Sequence, residues 1–145
     1  MVTVREHIDL DVPVGRVFDF MDAPARQATI TPSLQESTLL ERLPNGGARA
    51  RYTYRILGLS FSGEVRATDY VPEERIVWSM TGGLQGTLRW YFAPINEEGC
   101  RFTYAATYQI PGPSLIRPLA RSLVQRYNER EVQALLRNLR SRVGA

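Results

Sequence analysis

The stretch ARARYTYRILGLSFSGEVRATDYV, residues 48–71, predicts two antiparallel β-strands joined by a tight turn at residues 57–60. On both sides of the turn, apolar or small side chains alternate with arginine and other polar ones. This is the period of a strand with one buried face. Because a one-residue slip would turn a whole strand inside out, the alternation indicates which face is buried.

Two further turns, at residues 71–74 and 96–99, predict hairpins of the same kind. The predicted opposite pairs are Ile56/Phe61, Tyr54/Gly63, Tyr52/Val65, Ala67/Trp78, Val65/Met80, Phe92/Phe102 and Trp90/Tyr104. All three hairpins place the large apolar side chains on one face and the charged ones on the other. The sheet is therefore predicted to be antiparallel with one face in water.

The remaining elements frame this sheet. Val2–Leu10 alternates as a first strand, and two short helices are predicted at about 14–22 and 25–30. A long C-terminal helix is predicted at 114–143, either curved or broken near Asn128. Its apolar stripe comprises Ile116, Leu119, Leu123, Tyr127, Val132, Leu135, Leu136 and Leu139. The fold class is thus α+β, a curved seven-stranded antiparallel sheet wrapped around one long helix, an arrangement that tends to leave a cavity between them.

Length and composition suit one globular domain over residues 1–145, since 43% of the 145 residues are apolar. No apolar run is long enough for a transmembrane helix, and the first residues do not resemble a secretory signal. A single cysteine, Cys100, cannot form an internal disulfide, so a cytoplasmic location is expected.

Charge is distributed unevenly along the chain. Residues 1–112 hold 11 Arg and 13 acidic residues, whereas residues 113–145 hold 7 Arg and 2 Glu and so carry a net charge of +5. The basic helix is either a solvated face or a surface for transient contact with an anionic membrane. Nucleic-acid binding is not expected, because the aromatic residues lie on the face that the helix covers.

Reactive side chains are few. One His, one Cys and no Lys disfavour a zinc site and a catalytic triad and exclude a Schiff base. His7 falls on the polar face of the first strand. We therefore predict no metal, no cofactor and no catalytic residue, and binding comes before catalysis as the expected function.

The order of elements, with several short motifs, resembles the helix-grip fold of START-like proteins, nearest the bacterial polyketide cyclase/dehydrase and lipid-transport family. The residues that carry the resemblance are IDLDVP at 8–13, Val17, Phe18, Asp22, Pro32, Glu64, Val65, Pro72, Ile76, Val77, Trp78, Gly86, WYF at 90–92 and RFTY at 101–104. Ile30 and Thr31 stand where that family often has an aromatic residue before the proline. The resemblance implies a helix-grip fold that hosts lipid carriers, receptors and aromatase/cyclases.

The inward aromatic residues are the candidate binding site. Buried tyrosines need hydrogen-bond partners, and apolar walls with a few polar groups are typical of ligand pockets. The predicted ligand-binding residues are Tyr52, Tyr54, Phe61, Val65, Trp78, Trp90, Tyr104, Tyr108, Leu123 and Tyr127. The expected ligand is a hydrophobic or amphipathic small molecule such as a lipid, an isoprenoid quinone or a polyketide. The pattern leaves the oligomeric state open.

Two inward carboxylates keep a second hypothesis open. Glu6 and Asp69 fall on otherwise apolar faces, where each either reaches water at a strand end or lines the cavity. In the second case they join Tyr54 and Tyr104 as candidate acids or bases of a polyketide aromatase/cyclase or related lyase. Arg130 and Glu131 continue the Tyr127 stripe of the helix, with solvent exposure slightly favoured over a role in the cavity.

Overall fold

A computed structural model describes residues 1–110 and 118–144, with the backbone alone described at 118–121. The elements are β1 Val2–Leu10, α1 Val14–Met21, α2 Pro24–Ile30, β2 Leu34–Arg42, β3 Ala48–Ile56, β4 Leu59–Val71, β5 Arg75–Gly82, β6 Gln85–Asn96, β7 Gly99–Gln109 and α3 Pro118–Val143. The strands form one antiparallel sheet of order β1-β7-β6-β5-β4-β3-β2. The predicted α+β helix-grip fold is confirmed.

The long helix is continuous through Asn128 within its described span, so it is not broken there. Residues 114–117 of the predicted helix, with Ile116, lie outside the described residues. Within α3, Leu123 is 55% exposed while its neighbour Val124 is buried. The predicted inward position of Leu123 is therefore wrong. At this turn Val124 takes the buried position instead, next to Gln125, which is bonded to Thr3 of β1.

The β3–β4 hairpin has a shorter turn than predicted. Leu57 and Gly58 have φ of 50° and 83°, the positive values that a two-residue type I′ turn requires. The observed pairs are Ile56/Leu59, Tyr54/Phe61, Tyr52/Gly63 and Ala50/Val65. The predicted register is wrong by two residues. Because two is the period of a strand, every side chain nevertheless keeps its face.

The β4–β5 and β6–β7 registers are confirmed, with Trp78 opposite Ala67 and Trp90 opposite Tyr104. One detail differs, because a β-bulge after Ala67 places Asp69 opposite Val77. The bulge turns Asp69 to the outer face, where its carboxylate accepts a hydrogen bond of 2.6 Å from Arg75. The predicted inward position of Asp69 is therefore wrong.

Helix α3 runs parallel to β1 across the inner face. The Gln125 amide donates to the Thr3 carbonyl at 2.6 Å, and Arg140 donates to the Asp9 carbonyl at 3.0 Å. These contacts define two ends of the sheet. The open end holds the start of β1, the β3–β4 turn and the first described turns of α3. The closed end holds the end of β1 and α1, which packs on β6 and β7.

Candidate functional site

Two adjoining cavities lie between the inner face of the sheet and helices α2 and α3. They measure about 40 Å³ and about 30 Å³. Both are walled by Thr31, Tyr54, Leu88, Tyr104 and Leu135. Cavities of this size have room for a few water molecules each. The shared walls make them two parts of one interior space.

The first cavity lies under the centre of the sheet and is mostly apolar. Its other walls are Met21, Pro24, Gln27, Leu34, Ser37, Ala50, Tyr52, Val65, Trp78 and Trp90. The Gln27 amide is satisfied, because it donates to the Met21 carbonyl at 2.8 Å. The rings of Trp78 and Trp90 meet edge to face at 5.3 Å, and neither indole N–H has a hydrogen-bond partner among the described residues.

The second cavity lies toward the open end and is more polar. Its other walls are Ser33, Ile56, Met80, Leu84, Tyr108, Tyr127, Asn128, Glu131 and Val132. The Tyr108 hydroxyl donates to the Asn128 side-chain carbonyl at 3.3 Å, and the Ser33 N–H donates to the Glu131 carboxylate. The buried Asn128 NH₂ group has no partner in the described part of the chain. It is therefore a free donor within the wall.

Tyr52 is held by the fold. Its hydroxyl donates to the Thr81 carbonyl at 2.7 Å and accepts from the Leu84 N–H at 2.9 Å. The tyrosine passes over Gly63, where a Cβ would lie 2.6 Å from its hydroxyl and 2.0 Å from the Thr81 carbonyl oxygen. Only glycine fits at position 63. The role of Tyr52 is structural, since its hydroxyl fastens β3 to the end of β5 and to the loop before β6.

Tyr54 and Tyr104 differ from Tyr52, since neither hydroxyl has a hydrogen-bond partner among the described residues. Burial raises the pKa of both phenols well above the usual value, and the nearby Glu131 carboxylate adds to the effect. Burial raises the pKa of Tyr108 in the same direction. All three stay protonated at neutral pH, so they can donate hydrogen bonds to a ligand.

Eight of the ten predicted site residues line this space. Tyr52, Val65, Trp78 and Trp90 border the first cavity, Tyr108 and Tyr127 border the second, and Tyr54 and Tyr104 border both. Phe61 and Leu123 line neither. Phe61 packs half-buried against the core two residue pairs beyond Gly63, and Leu123 faces solvent.

Sequence reasoning missed the walls supplied by α2 and β2, such as Gln27, Leu34 and Ser37. No periodic signal marks them, because their role depends on where α2 packs. Glu131 was recoverable, since it lies four residues after Tyr127 on the same side of α3, whereas Asn128 follows Tyr127 directly and helical spacing does not place it there. Glu131 belongs to the cavity wall rather than to solvent, which corrects the expectation that slightly favoured its exposure.

Glu6 is half-buried opposite Tyr104 on the edge strand, and it borders neither cavity. Cys100 is buried, and this burial raises the pKa of its thiol. The described residues contain no cluster of His, Cys, Asp or Glu that could hold a metal ion. Nor does the described part of the chain contain a helix long and apolar enough to cross a membrane.

Comparison with known proteins places this architecture in a family. Three solved structures superpose on nearly the whole chain. A Thermus thermophilus protein does so with a TM-score of 0.84 at 22% identity, covering 97% of this chain and 96% of its own. The ZhuI aromatase/cyclase of a Streptomyces species gives 0.80 at 16%, covering 98% and 93%. A START superfamily protein of Mycobacterium smegmatis gives 0.75 at 13%, covering 98% and 97%.

These identities support a common fold and no more. No curated protein sequence matches the chain. Residues 1–144, however, match the family described as polyketide cyclase / dehydrase and lipid transport. The chain therefore belongs to the polyketide cyclase/dehydrase and lipid-transport family.

Proposed function

We propose that this protein binds a hydrophobic or amphipathic small molecule, of lipid, isoprenoid quinone or polyketide type, between the sheet and α3. The observation that carries the proposal is the pair of adjoining cavities that share Tyr54 and Tyr104. Their walls are mostly apolar with a few polar groups, which is the usual character of a ligand site. Residues 1–145 would form one binding domain, and the free thiol of Cys100 suits a cytoplasmic protein.

The polarity of the space orients the ligand. Its apolar part would lie in the first cavity against Trp78 and Trp90. Its polar part would lie in the second, where the hydroxyls of Tyr54 and Tyr104 and the amide of Asn128 offer donors. Donors without acceptors favour a ligand group that accepts hydrogen bonds, such as a carbonyl, over a group that only donates.

Binding requires the space to expand. About 40 Å³ and about 30 Å³ are far below the several hundred cubic ångströms that a drug-sized ligand occupies in a typical pocket. Two hydrogen bonds hold α3 over the sheet beside the second cavity, from Tyr127 to the Arg55 carbonyl and from the Ser33 N–H to Glu131. A shift of α3 away from β2 and β3 would break both and enlarge the cavity.

Native mass spectrometry of gently purified protein, followed by extraction of any bound lipid, tests the proposal directly. In parallel, a long-chain fatty acid and a quinone analogue should raise the melting temperature, because a ligand of the native state stabilises it by mass action. Ala50→Leu places a bulky side chain in the first cavity and should abolish the shift. Ala93→Leu is the matched control, because Ala93 is an exposed residue of β6 and borders neither cavity. A broad screen without binding would refute the carrier function.

The cluster around Glu131 favours one alternative, an aromatase/cyclase or related lyase. The Glu131 carboxylate lies in the same wall as Tyr54, Tyr104 and Tyr108, which provides a base and three neutral acids around one space. Asp69 no longer contributes, since it points outward. The test is turnover of a polyketide-like substrate. If Glu131→Gln abolishes turnover but still binds the substrate, the protein is an enzyme rather than a carrier.

A further inference from the structure

Exposed apolar side chains gather at the open end of the molecule. Leu57, Leu59 and Leu123 are 54%, 64% and 55% exposed, and we call them the end patch. Apart from the first residue, Met1, the other large apolar side chains that are exposed in the described part of the chain, Leu39 and Ile95, lie singly on β2 and β6. Isolated exposed leucines are ordinary, but a group of them marks an interaction surface.

The hydrogen bond between Tyr127 and the Arg55 carbonyl, 3.3 Å long, fixes the geometry of the end patch. Leu123 lies one helical turn before Tyr127, about 5–6 Å away on the same side of α3. Leu57, the first residue of the turn, lies two residues beyond Arg55, about 6–7 Å away. Both steps lead toward the open end, so Leu57 and Leu123 extend to that end on the hairpin and the helix that this hydrogen bond joins.

Arginines flank the end patch. Arg55, Arg126 and Arg130 are exposed beside it, whereas the Glu131 carboxylate is turned inward to the Ser33 N–H. Apolar side chains surrounded by arginine fit the interface of an anionic bilayer, in which leucines reach the acyl boundary and guanidinium groups bind phosphates.

The end patch is also continuous with the cavity. Ile56, which precedes Leu57, and Tyr127, one turn after Leu123, both line the second cavity. A surface bound through the end patch would therefore lie directly over the part of the cavity where α3 must move for the space to expand.

We propose that the end patch docks on an anionic lipid surface, so that the cavity exchanges its ligand with the bilayer. This inference rests on the proposed carrier function for the exchange, while the docking itself rests on the exposed leucines and arginines. Docking should be reversible, since three leucines bury little apolar area and the electrostatic part is screened by salt.

Vesicle flotation tests the docking. The wild-type protein should float with vesicles of phosphatidylcholine containing about one-third phosphatidylglycerol, at least about tenfold more than with phosphatidylcholine alone. Raising NaCl from about 0.1 M to about 1 M should release most of it. The triple variant Leu57→Ser, Leu59→Ser, Leu123→Ser should bind about tenfold less, whereas Leu39→Ser with Ile95→Ser should bind as the wild type does.

Charge reversal supplies a second pair of variants on the same helix. Arg126→Glu should weaken binding to the anionic vesicles several-fold, whereas Arg142→Glu, exposed near the closed end, should leave it unchanged. Equal losses for both would show attraction by net charge alone and would overturn the end patch as the docking site.

Four other results are decisive. Unchanged flotation of the triple leucine variant, or no flotation of the wild type, would overturn the docking. A dimer in solution that the triple variant dissociates would assign the end patch to a second copy of the chain instead. The protein could also bind vesicles through the end patch while neither the fatty acid nor the quinone analogue raises its melting temperature. That result would support docking and refute the carrier function.

Discussion

The two ends of the sheet use the same inner face in different ways. At the closed end, α1 sets Phe18 against Phe92 and Tyr70, with ring centroids 5.1 Å and 5.7 Å apart, and Phe102 is fully buried. At the open end, tyrosines replace phenylalanines, two of their hydroxyls lack partners, and the cavities remain. Dense packing at one end therefore supports a space at the other that the fold does not fill.

The comparison also separates tyrosines that stabilise the fold from those that are free to bind. Tyr70 donates to the Asp22 carboxylate at 2.9 Å, and Tyr52 is bonded to the loop before β6. Tyr54 and Tyr104 have no such partner in the described part of the chain. Substitutions that change one end at a time can therefore test whether the division is real.

The largest effect is expected from Phe102→Ala at the closed end. The side chain is fully buried among aromatic rings, so its loss should lower the free energy of unfolding by about 3–5 kcal/mol. Tyr104→Ala, two residues along the same face of β7, should cost less, because its side chain borders both cavities and so makes fewer packing contacts than Phe102. Urea denaturation measures both, and equal losses would contradict the division between the ends.

The next effect is expected from Tyr52→Phe. Without the hydroxyl, the buried Leu84 N–H loses its acceptor, which should lower the free energy of unfolding by about 1–3 kcal/mol. Tyr54→Phe is the matched variant on the same strand and should leave the stability almost unchanged. A larger loss for Tyr54→Phe would mean that its hydroxyl is already engaged in the ligand-free protein.

Alkaline pH should destabilise the protein through its buried phenols. Burial and the hydrogen bond to Asp22 raise the pKa of Tyr70 to about 12, and burial raises those of Tyr54, Tyr104 and Tyr108 as well. Because the folded pKa exceeds the unfolded value of about 10, the stabilisation is complete below about pH 10. It is then lost as the pH rises through the folded pKa.

Melting temperature and phenolate absorbance, followed together between neutral and strongly alkaline pH, measure this effect. Tyr70→Phe should remove the part of the alkaline loss of stability that comes from the closed end. The part that comes from Tyr54, Tyr104 and Tyr108 should remain. Ordinary titration of every tyrosine near pH 10 in the folded protein would contradict the buried, protonated state of these phenols.

The smallest effect is expected on ligand affinity. Tyr54→Phe should weaken a ligand with a carbonyl head by about 0.5–1.5 kcal/mol, the value of one hydrogen bond, and should not affect a purely apolar probe. Isothermal titration with the two probes measures the difference. Equal weakening of both would show that the ring rather than the hydroxyl makes the contact.

Alternation along the strands was sufficient to predict the inner face. Trp78, Trp90 and Tyr104 were placed there correctly because period-two patterning in three separate hairpins agrees. The register of β3 on β4 was not predicted, since a shift of two residues keeps Tyr54 inward in either case. Only the positive φ angles of Leu57 and Gly58 select the shorter turn.

The sequence by itself located six of the seven strands, the buried face of the sheet and the helix that covers it, because these follow from local periodicity. Tertiary structure decided the rest: the bulge that turns Asp69 outward, the approach of β1 that leaves Leu123 in solvent, and the walls that α2 adds. The cavity belongs to this second group. It is the space that remains where elements distant in the chain pack together incompletely. A local pattern of residues cannot predict the volume of such a space.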